Sequence, residues 1–274
     1  VKVNAPNSQF IDGSRVIINP GIITSEDQWT RNGEDSVSPG YKVLGEQRRG
    51  GMAELVTVPA ANLFKIPEGI SFTQAAAPIL VGMTCWRMLF GKANLKVGET
   101  VLIVGAGGGV NSHCILFAKA AGCTVYALTS SREKKARALE LGADEVINYK
   151  TTPDWAVEVL KLTKGLGVDL VVDNVGEVTM PQSLRAVTRG GRIVTVGNTS
   201  GHKIVYDNRL VFTKQVSILG STMGSRQDFI DSMQFLWSRN LAPVIDRVEP
   251  LSEGIKMLQY LERGEQFGKI VLTP

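Results

Sequence analysis

The chain has 274 residues, of which 43% are hydrophobic and 20% are charged, and its formal net charge is +4. This composition is typical of a globular protein with one large domain or two smaller ones. The modest charge gives no reason to expect nucleic acid or a membrane as a partner, and no apolar run approaches the ~20 residues that a transmembrane helix needs.

The chain has three cysteines, Cys85, Cys114 and Cys123, and each lies in an apolar stretch. An odd number without a spacing pattern predicts buried free thiols in a reducing compartment, and not a disulfide framework. We therefore expect a cytoplasmic protein.

The first part of the chain, residues 1–70, has a β-rich pattern. It predicts a strand at 15–19, a turn at Pro20-Gly21 and a second strand at 53–58. Between them, residues 24–51 form a long polar lobe with little apolar pattern, and a loop of this length inside a compact domain usually carries a function.

A helix is predicted to follow the β-rich part. Ser71 and Gln74 have the spacing of a capping box, and Pro78 is expected to divide the apolar helical stretch behind them. The composition changes near residue 80, where we place the boundary with a second domain.

A glycine-rich turn opens the second domain. Four aliphatic residues at 101–104 predict a buried strand, and four glycines (Gly105, Gly107, Gly108 and Gly109) and Val110 precede an apolar helix that ends at Gly122. Glycines allow the backbone to approach a pyrophosphate, and the start of a helix attracts the anion. The turn therefore predicts a dinucleotide site.

The spacing of these glycines departs from the usual G-x-G-x-x-G pattern. Gly105 and Gly108 fit the first two places of G-x-x-G-x-x-G, but Asn111 stands where close helix packing usually needs the last glycine. We expect Asn111→Gly to be tolerated or to improve the affinity for the dinucleotide.

The remaining strands and helices of this domain alternate regularly. The helices are predicted to end at Gly122, Gly142 and Gly190, and another begins with Thr152 as N-cap and Pro153 at its first position. Strands are predicted at 124–128, 145–147, 169–172, 192–196 and 216–219. Six strands with intervening helices predict a doubly wound parallel sheet.

The last part of the chain contains two predicted helices, at 225–239 and 252–263, and a final strand at 268–272. Because this strand follows the sheet after an interruption, we expect it to return to the β-rich part. The first domain would then be discontinuous in sequence.

The segment behind the second strand of the sheet indicates which cofactor binds. An NAD-specific site needs an acidic residue at the strand end, whereas this chain has Ser130 and Ser131 there, followed by Arg132 and Lys134. Glu133, between these two cations, is expected to point away from the cofactor. The hydroxyls and cations suit the 2′-phosphate of NADP(H), so NAD(H) is the less favoured cofactor. An N-cap serine followed by a solvated helix is the alternative interpretation of the same residues.

Several motifs recur in the order and spacing of one known family. They lie at residues 98–110, 118–122, 141–149, 173–176, 190–194 and 267–272. On these motifs the chain resembles the medium-chain dehydrogenase/reductase superfamily, which contains zinc-type alcohol dehydrogenases and zinc-free quinone oxidoreductases. A Ser-x-x-Lys at 131–134 is similar to the pattern of its NADPH-using members.

The resemblance implies an α/β fold with a Rossmann-type doubly wound parallel sheet and a partial, β-rich GroES-like catalytic domain, incomplete at its N-terminus. It places the catalytic domain at residues 1–81 and 242–274 and the dinucleotide-binding domain at 82–241. It also implies a homo-oligomer, a dimer or tetramer, paired through the edge strand at 216–219. Further cofactor contacts are implied at Thr84, Tyr149, Asn174, Val175, Gly197, Asn198, Thr199 and Ser221.

The same resemblance implies that this chain holds no zinc. The four cysteines of the family's structural zinc site correspond to Thr24, Asp27, Thr30 and Ser38, and an apolar residue, Leu80, stands near a further metal position. None of the four can supply a thiolate. The two histidines of the chain, His113 and His202, do not form a zinc site with the other residues present.

Three functions remain open from the sequence. The first is an NADPH-dependent oxidoreductase that transfers hydride to or from a small carbonyl, enone or quinone without zinc, with no catalytic residue identified. The second is a zinc-type alcohol dehydrogenase whose metal is held mainly by residues outside this chain. The third is an NADPH-binding protein without catalysis.

Overall fold

The computed structural model describes residue 2 and residues 9–274. The chain forms two compact units, of which the first combines Val1–Met83 with Met223–Pro274 and the second is Thr84–Thr222. The predicted first domain begins at residue 1, and residues 1 and 3–8 lie outside the described part. None of the described helices is long and apolar enough to cross a membrane.

The strands of the described residues are numbered in chain order. They are β1 (Val16–Ile18), β2 (Gly21–Ile23), β3 (Tyr41–Val43), β4 (Leu63–Lys65), β5 (Thr100–Val104), β6 (Thr124–Thr129), β7 (Glu145–Asn148), β8 (Val168–Asp173), β9 (Val187–Thr195), β10 (Ser217–Gly220), β11 (Ile245–Pro250) and β12 (Lys269–Thr273).

The α-helices are numbered in the same way. They are α1 (Gln28–Arg31), α2 (Phe72–Ala76), α3 (Val81–Trp86), α4 (Gly109–Ala120), α5 (Arg132–Glu140), α6 (Trp155–Leu162), α7 (Met180–Ala186), α8 (Asn208–Lys214), α9 (Arg226–Ser238) and α10 (Gly254–Glu262). A π-helical segment, Arg87–Lys92, continues α3.

The second unit is built on the parallel sheet that the sequence predicts. Its six strands run in the order β10-β9-β8-β5-β6-β7, and every neighbouring pair is parallel. Residues 101–104 of β5 are at most 2% exposed, because helices cover both faces of the sheet. The order reverses between β5 and β8, which makes the carboxyl ends of these two strands the switch point of the fold.

Two helix boundaries in this unit differ from the prediction. The N-cap of α6 is Asp154, and not Thr152, so Pro153 precedes the helix. Helix α7 ends at Ala186, and Gly190 lies inside β9 with a φ of +70°. Pairing of Val187 with Val168 of β8 draws this segment into the sheet early, which local sequence does not reveal.

The first unit contains short paired strands. β1 pairs with β4, β2 pairs with β3 and β11 pairs in parallel with β12. The predicted strand at 53–58 is wrong, because these residues are irregular and no described strand pairs with them. Leu55 is 90% exposed, so the segment lacks the ladder and the packing that stabilise a strand.

Three helices of this unit, α1, α2 and α9, begin with a capping box, and the one at α2 is predicted from the sequence. At α2, Gln74 N donates to Ser71 Oγ (3.2 Å) and Ser71 N donates to Gln74 Oε1 (3.1 Å), which confirms the box. At α9, Asp228 N donates to Ser225 Oγ and Ser225 N donates to Asp228 Oδ2. Reciprocal caps of this kind satisfy amides that the helix itself leaves unpaired.

Helix α9 lies in the first unit, whereas the sequence places residues up to 241 with the sheet. The reason is packing. Phe229 is fully buried and its ring centroid lies 4.8 Å from that of Phe64, while the Arg226 guanidinium lies over the Phe64 ring at 4.8 Å. An aromatic contact across 165 residues of sequence is not visible to local pattern.

The polar lobe contains a hydrogen-bonded cluster around Asp27. Ser38 Oγ donates to Asp27 Oδ2 (2.7 Å), and Trp29 N and Thr30 N donate to Asp27 Oδ1. Thr30 Oγ1 accepts from Asp27 N and donates to Asp27 O. Three of the four positions that match the family's zinc cysteines are therefore joined by hydrogen bonds, and Thr24 Oγ1 donates separately to Gly40 O.

This cluster should make the stability of the lobe depend on acid. Hydrogen bonds from Thr30 N and then from the Ser38 hydroxyl hold the pKa of Asp27 below its ordinary value of 3.8. Because the folded pKa is the lower one, the stabilisation is present above the ordinary value and is lost as pH falls through the folded value. We expect the urea midpoint of the wild type to fall in this window more steeply than that of Asp27→Asn. Equal acid dependence in both proteins would contradict the role of Asp27.

Candidate functional site

The candidate site lies at the carboxyl ends of β5, β6, β8 and β9. In a doubly wound sheet, ligands bind where the strand order reverses, which here is between β5 and β8. Most of the cofactor residues predicted from the sequence stand at or just beyond these strand ends. The topology therefore brings together residues that are far apart in sequence, such as Gly105 and Gly220, which are 115 positions apart.

The glycine turn joins β5 to α4. Gly105 has a φ of +84°, a conformation that favours glycine over any residue with a side chain. Gly108 is the N-cap of α4, so no side chain caps the first amides of this helix, and a Cβ at Gly108 would meet nothing within 4 Å. Gly107, Gly109 and Val110 are half-buried.

This turn fits a pyrophosphate. Uncapped amides at the start of a helix of 12 residues carry a partial positive charge, and the open space in front of Gly108 admits an anion. A side chain at Gly108 would occupy that space. The residues present therefore suit a dinucleotide, which the sequence predicts at this place.

Asn111 has a defined structural role. Its side chain is 6% exposed, and its Nδ2 donates to Val104 O (2.6 Å) and Gly105 O (3.0 Å). Its Oδ1 accepts from Asn174 Nδ2 (2.7 Å). The expectation that Asn111→Gly is harmless is wrong in its premise, because this substitution removes three buried hydrogen bonds.

A buried carboxyl group organises the loop after β8. Asp173 is fully buried, and its Oδ1 accepts from Val175 N (3.0 Å), Gly176 N (3.1 Å) and Thr179 Oγ1 (2.8 Å). Ser183 Oγ donates to Oδ2 (2.7 Å). Asp173 thereby fixes the loop that carries Val175 at the switch point.

A cavity of about 300 Å³ opens beside the glycine turn. Its wall is mainly apolar, with a few polar groups at the rim, as is usual for cofactor pockets. It is lined by Val104, Gly105, Leu128, Tyr149, Pro153, Trp155, Val175, Val178, Thr179 and Gln182. Three predicted ligands, Gly105, Tyr149 and Val175, contribute to this wall.

The end of β6 supports the prediction of a polar, non-acidic environment. Ser130 is half-buried, and Ser131 is the N-cap of α5, where its Oγ accepts from Lys134 N (3.1 Å). The Ser131 hydroxyl hydrogen remains available for a ligand. Arg132 is exposed in the first turn of α5, so the capping interpretation and the phosphate interpretation are compatible.

Sequence reasoning missed Thr129 at this place. Thr129 is the last residue of β6 and is 2% exposed, and its Oγ1 has no hydrogen-bond partner. A buried hydroxyl without a partner at the end of the second strand is unusual and suits a polar ligand. Its position about twenty residues behind the glycine turn was the available signal.

The predicted residues near β9 and β10 differ in their accessibility. Gly197, Asn198 and Thr199 are exposed, and the Ser221 Oγ is buried with no hydrogen-bond partner. Asn174 is buried, and its side chain forms hydrogen bonds with other residues of the protein. Thr84 is 2% exposed in α3. Direct contact of each with a cofactor stays a prediction.

Two of the three thiols of the second unit, those of Cys85 and Cys114, lie close to the start of α4, whereas Cys123 Sγ donates to Lys96 O (3.4 Å). Cys85 Sγ donates to Val110 O (3.1 Å), and Cys114 Sγ lies 3.4 Å from Cys85 Sγ. Burial and the contact with Cys114 raise the pKa of the Cys85 thiol well above its ordinary value. Such thiols stay protonated and pack as small apolar groups.

A metal centre is not recognisable in the described ranges. Among residue 2 and residues 9–274, no three His, Cys, Asp or Glu side chains are grouped in a way that could hold a metal ion. His113 is fully buried in α4, where its Nδ1 lies 2.8 Å from Gly109 O.

Two family models match the chain. The model described as alcohol dehydrogenase GroES-like domain matches residues 1–68, and the model described as zinc-binding dehydrogenase matches residues 109–238. The first match lies in the β-rich unit. The second lies mainly in the unit that contains the six-stranded sheet.

Full-length relatives agree with the two models. A zinc-type alcohol dehydrogenase-like protein of Schizosaccharomyces pombe is 32% identical over 85% of this chain and 68% of its own length. The crystal structure of an NAD-dependent alcohol dehydrogenase is 40% identical, with a TM-score of 0.92 over 97% of this chain and 77% of its own. A 2-octenoyl-CoA carboxylase reductase, CinF, solved with NADP and 2-octenoyl-CoA, is 30% identical, with a TM-score of 0.87 over 95% of this chain and 62% of its own.

The fold, the site and these relatives define the class of protein. The chain belongs to the medium-chain dehydrogenase/reductase superfamily of NAD(P)-dependent oxidoreductases. It has the Rossmann-type sheet and the GroES-like unit of that superfamily, and it spans 62 to 77% of the length of these three relatives.

Proposed function

We propose that this protein is an NADPH-dependent reductase that transfers hydride to a small conjugated or otherwise activated carbonyl compound without zinc. The observation that carries the proposal is the end of β6. It offers the hydroxyls of Thr129, Ser130 and Ser131 and the cations Arg132 and Lys134, and no acidic residue stands at the strand end itself, since Glu133 follows in the first turn of α5. This combination favours a 2′-phosphate over a free ribose hydroxyl.

Each part of the site would hold a different part of the cofactor. The amides at the start of α4 would bind the pyrophosphate, and the cavity between Leu128, Tyr149 and Val175 would receive the adenine. The Ser130 and Ser131 hydroxyls would donate to the 2′-phosphate, while Arg132 balances its charge. The nicotinamide, when bound, supplies the hydride.

The nicotinamide end of the site lies near β9 and β10. The exposed loop that contains Gly197, Asn198 and Thr199 would line the nicotinamide ribose, and the Ser221 hydroxyl would donate to a carboxamide oxygen. These contacts orient one face of the ring toward the substrate. The proton donor of the reaction is not among the residues that the site assigns.

The proposed substrate class is supported by the relatives. CinF was solved with an enoyl-CoA, and other relatives are named crotonyl-CoA carboxylase/reductase and acryloyl-coenzyme A reductase. Reduction of a conjugated double bond needs hydride and a proton but no metal. Thr24, Asp27, Thr30 and Ser38 cannot supply the thiolates of the structural zinc site, and the apolar Leu80 stands near a further metal position, so we expect no zinc to be held by these residues.

Stopped-flow kinetics test the proposal directly. In buffer treated with a chelator, NADPH is expected to be oxidised by at least one member of a panel of enones, enoyl thioesters and quinones, and NADH is expected to react more slowly. Binding of NADPH without turnover on any member of the panel would instead favour a non-catalytic NADPH-binding protein. Faster turnover with NADH would contradict the assignment of the cofactor.

A zinc-type alcohol dehydrogenase is the second candidate, because the 40% identical structure is named as an NAD-dependent alcohol dehydrogenase. Metal analysis of the purified protein separates the two candidates. About one tightly held zinc per chain, with alcohol oxidation that a chelator abolishes, would replace the first proposal by the second.

The oligomeric state stays a prediction. Among the described strands, β10 pairs only with β9 and is an edge of the sheet, and Ile218 on it is 39% exposed. An exposed apolar edge strand is suited to pairing with a second copy, as expected for a dimer or tetramer.

A further inference from the structure

The backbone ladder between β5 and β8 ends where the cofactor would bind. Val104 and Asp173 form the last register pair, and the next residues, Gly105 and Asn174, belong to two separate loops. Beyond this pair, the two halves of the sheet diverge at the switch point. A loop that must hold a pyrophosphate therefore needs another source of rigidity.

Beyond the last backbone pair, side-chain hydrogen bonds connect the ends of the strands. Asn111 Nδ2 donates to Val104 O and Gly105 O, and Asn111 Oδ1 accepts from Asn174 Nδ2 (2.7 Å). Asn174 Oδ1 in turn accepts from Val196 N (2.8 Å). We call this series of bonds the asparagine relay. It joins the ends of three adjacent strands, β5, β8 and β9, through one residue of α4.

Only one orientation of the two carboxamides gives every donor and acceptor in the asparagine relay a partner. The carbonyls of Val104 and Gly105 need donors, whereas the amide of Val196 needs an acceptor. Two carboxamides in series meet both needs only when each turns its nitrogen toward β5 and its oxygen toward β9. The backbone at the two ends thus determines the orientation of both asparagines.

The relay is buried and lies directly against the glycine turn. Asn111 is 6% exposed and Asn174 is 9% exposed. Asn111 Nδ2 lies 3.6 Å from the point where a Cβ of Gly105 would stand, at the residue with a φ of +84°. Loss of either asparagine would leave buried polar groups without partners at this turn.

We propose that Asn111 and Asn174 are positioning residues, which hold the phosphate-binding turn in register with the ends of β8 and β9. The inference rests on the proposed function, because it concerns the geometry of the dinucleotide site. On this proposal, Asn111 stands where the pattern usually has a glycine because its side chain makes the phosphate-binding turn more rigid. Asn174 would then affect cofactor binding indirectly, because it holds the turn in place through Asn111.

Binding measurements with single and double variants test the relay. Asn111→Ala and Asn174→Ala are each expected to weaken NADPH binding about tenfold, since each leaves a buried polar group unpaired. The double variant is expected to bind no more weakly than the weaker single variant, because the two residues act in series. Fully additive losses would overturn the relay.

A second ligand separates positioning from general damage. Adenosine 2′-monophosphate has no pyrophosphate, so its affinity is expected to stay the same in Asn111→Asp, which keeps the shape of the side chain but turns an oxygen toward the Val104 and Gly105 carbonyls. NADPH affinity of that variant is expected to fall about tenfold. A parallel loss of both ligands would overturn the positioning role.

Amide hydrogen exchange without ligand provides a readout that does not depend on binding. Exchange of the amides at 105–110 is expected to be faster in Asn111→Ala than in the wild type. Ser112→Ala is the matched control, because Ser112 is also buried on α4 and its Oγ donates to Gly109 O of the same helix (3.2 Å), and not to the carbonyls of β5. Equal exchange in all three proteins would overturn the relay.

These experiments also keep the inference distinct from the proposed function. A wild type that binds neither NADPH nor any other dinucleotide would contradict the proposed function, while the exchange rates would still decide whether the relay holds the turn. A wild type that binds NADPH, together with asparagine variants of unchanged affinity and exchange, would overturn the relay alone.

Discussion

Ser131→Asp is expected to weaken NADPH binding by roughly tenfold or more and to leave NADH binding nearly unchanged. The reason is repulsion between the new carboxylate and the 2′-phosphate that the end of β6 is proposed to hold. NADH lacks this phosphate, and a carboxylate near its ribose hydroxyls is tolerated or favourable. Fluorescence titration with both nucleotides measures the two affinities.

The substitution is informative because it should preserve the fold. Ser131 Oγ caps α5 by accepting from Lys134 N, and aspartate is an N-cap residue of similar strength. A negative charge at a helix start is also favourable. The change in cofactor affinity can therefore be attributed to charge and not to loss of the helix.

Ser131→Asn is the matched control, since it keeps a capping oxygen without adding charge. It is expected to retain most of the NADPH affinity of the wild type. If Ser131→Asp and Ser131→Asn had the same effect on NADPH, or if neither had any, the 2′-phosphate would not bind at the end of β6.

Asp173→Ala is expected to lower the free energy of unfolding by about 3 kcal/mol or more, because it leaves several buried donors without a partner. Asp173 is fully buried and accepts hydrogen bonds from two backbone amides and two hydroxyls. The loop after β8 depends on these bonds for its conformation. Urea denaturation followed by circular dichroism measures the loss.

Two variants define the contribution of the separate contacts. Ser183→Ala removes only the bond to Asp173 Oδ2 and is expected to cost about 1 kcal/mol. Asp173→Asn keeps the acceptor for Val175 N, Gly176 N and Thr179 Oγ1, and the Ser183 hydroxyl can turn to accept from the new amide, so a smaller loss than for alanine is expected. An Asp173→Ala protein as stable as Ser183→Ala would contradict the central role of the carboxyl group.

Much of the second unit could be predicted because its signals are local. Runs of aliphatic residues and glycine-ended helices indicated six strands in a doubly wound sheet, and the structure confirms them with boundaries that differ by a few residues. The capping boxes at Ser71 and the glycine turn at Gly105 are also local features. Each depends on residues within one turn of helix.

The errors fall where the outcome depends on a distant partner. Residues 53–58 have the composition of a strand but no described strand pairs with them. Helix α9 continues the alternation of the sheet in sequence, yet its Phe229 packs against Phe64 in the other unit. In the first case no described partner strand is present to stabilise the predicted strand, and in the second a distant aromatic contact decides where the helix packs.

The sequence by itself determined the class of fold and predicted where a dinucleotide would bind, because glycines, caps and apolar runs restrict the backbone over a few residues. Only the tertiary structure decided what Asn111 and Thr129 do. Asn111 meets Asn174 across 63 residues of sequence, and Thr129 acquires a buried hydroxyl without a partner only when β6 enters the sheet. Hydrogen bonds between distant residues depend on packing that brings their atoms within about 3 Å, and local sequence carries no record of that distance.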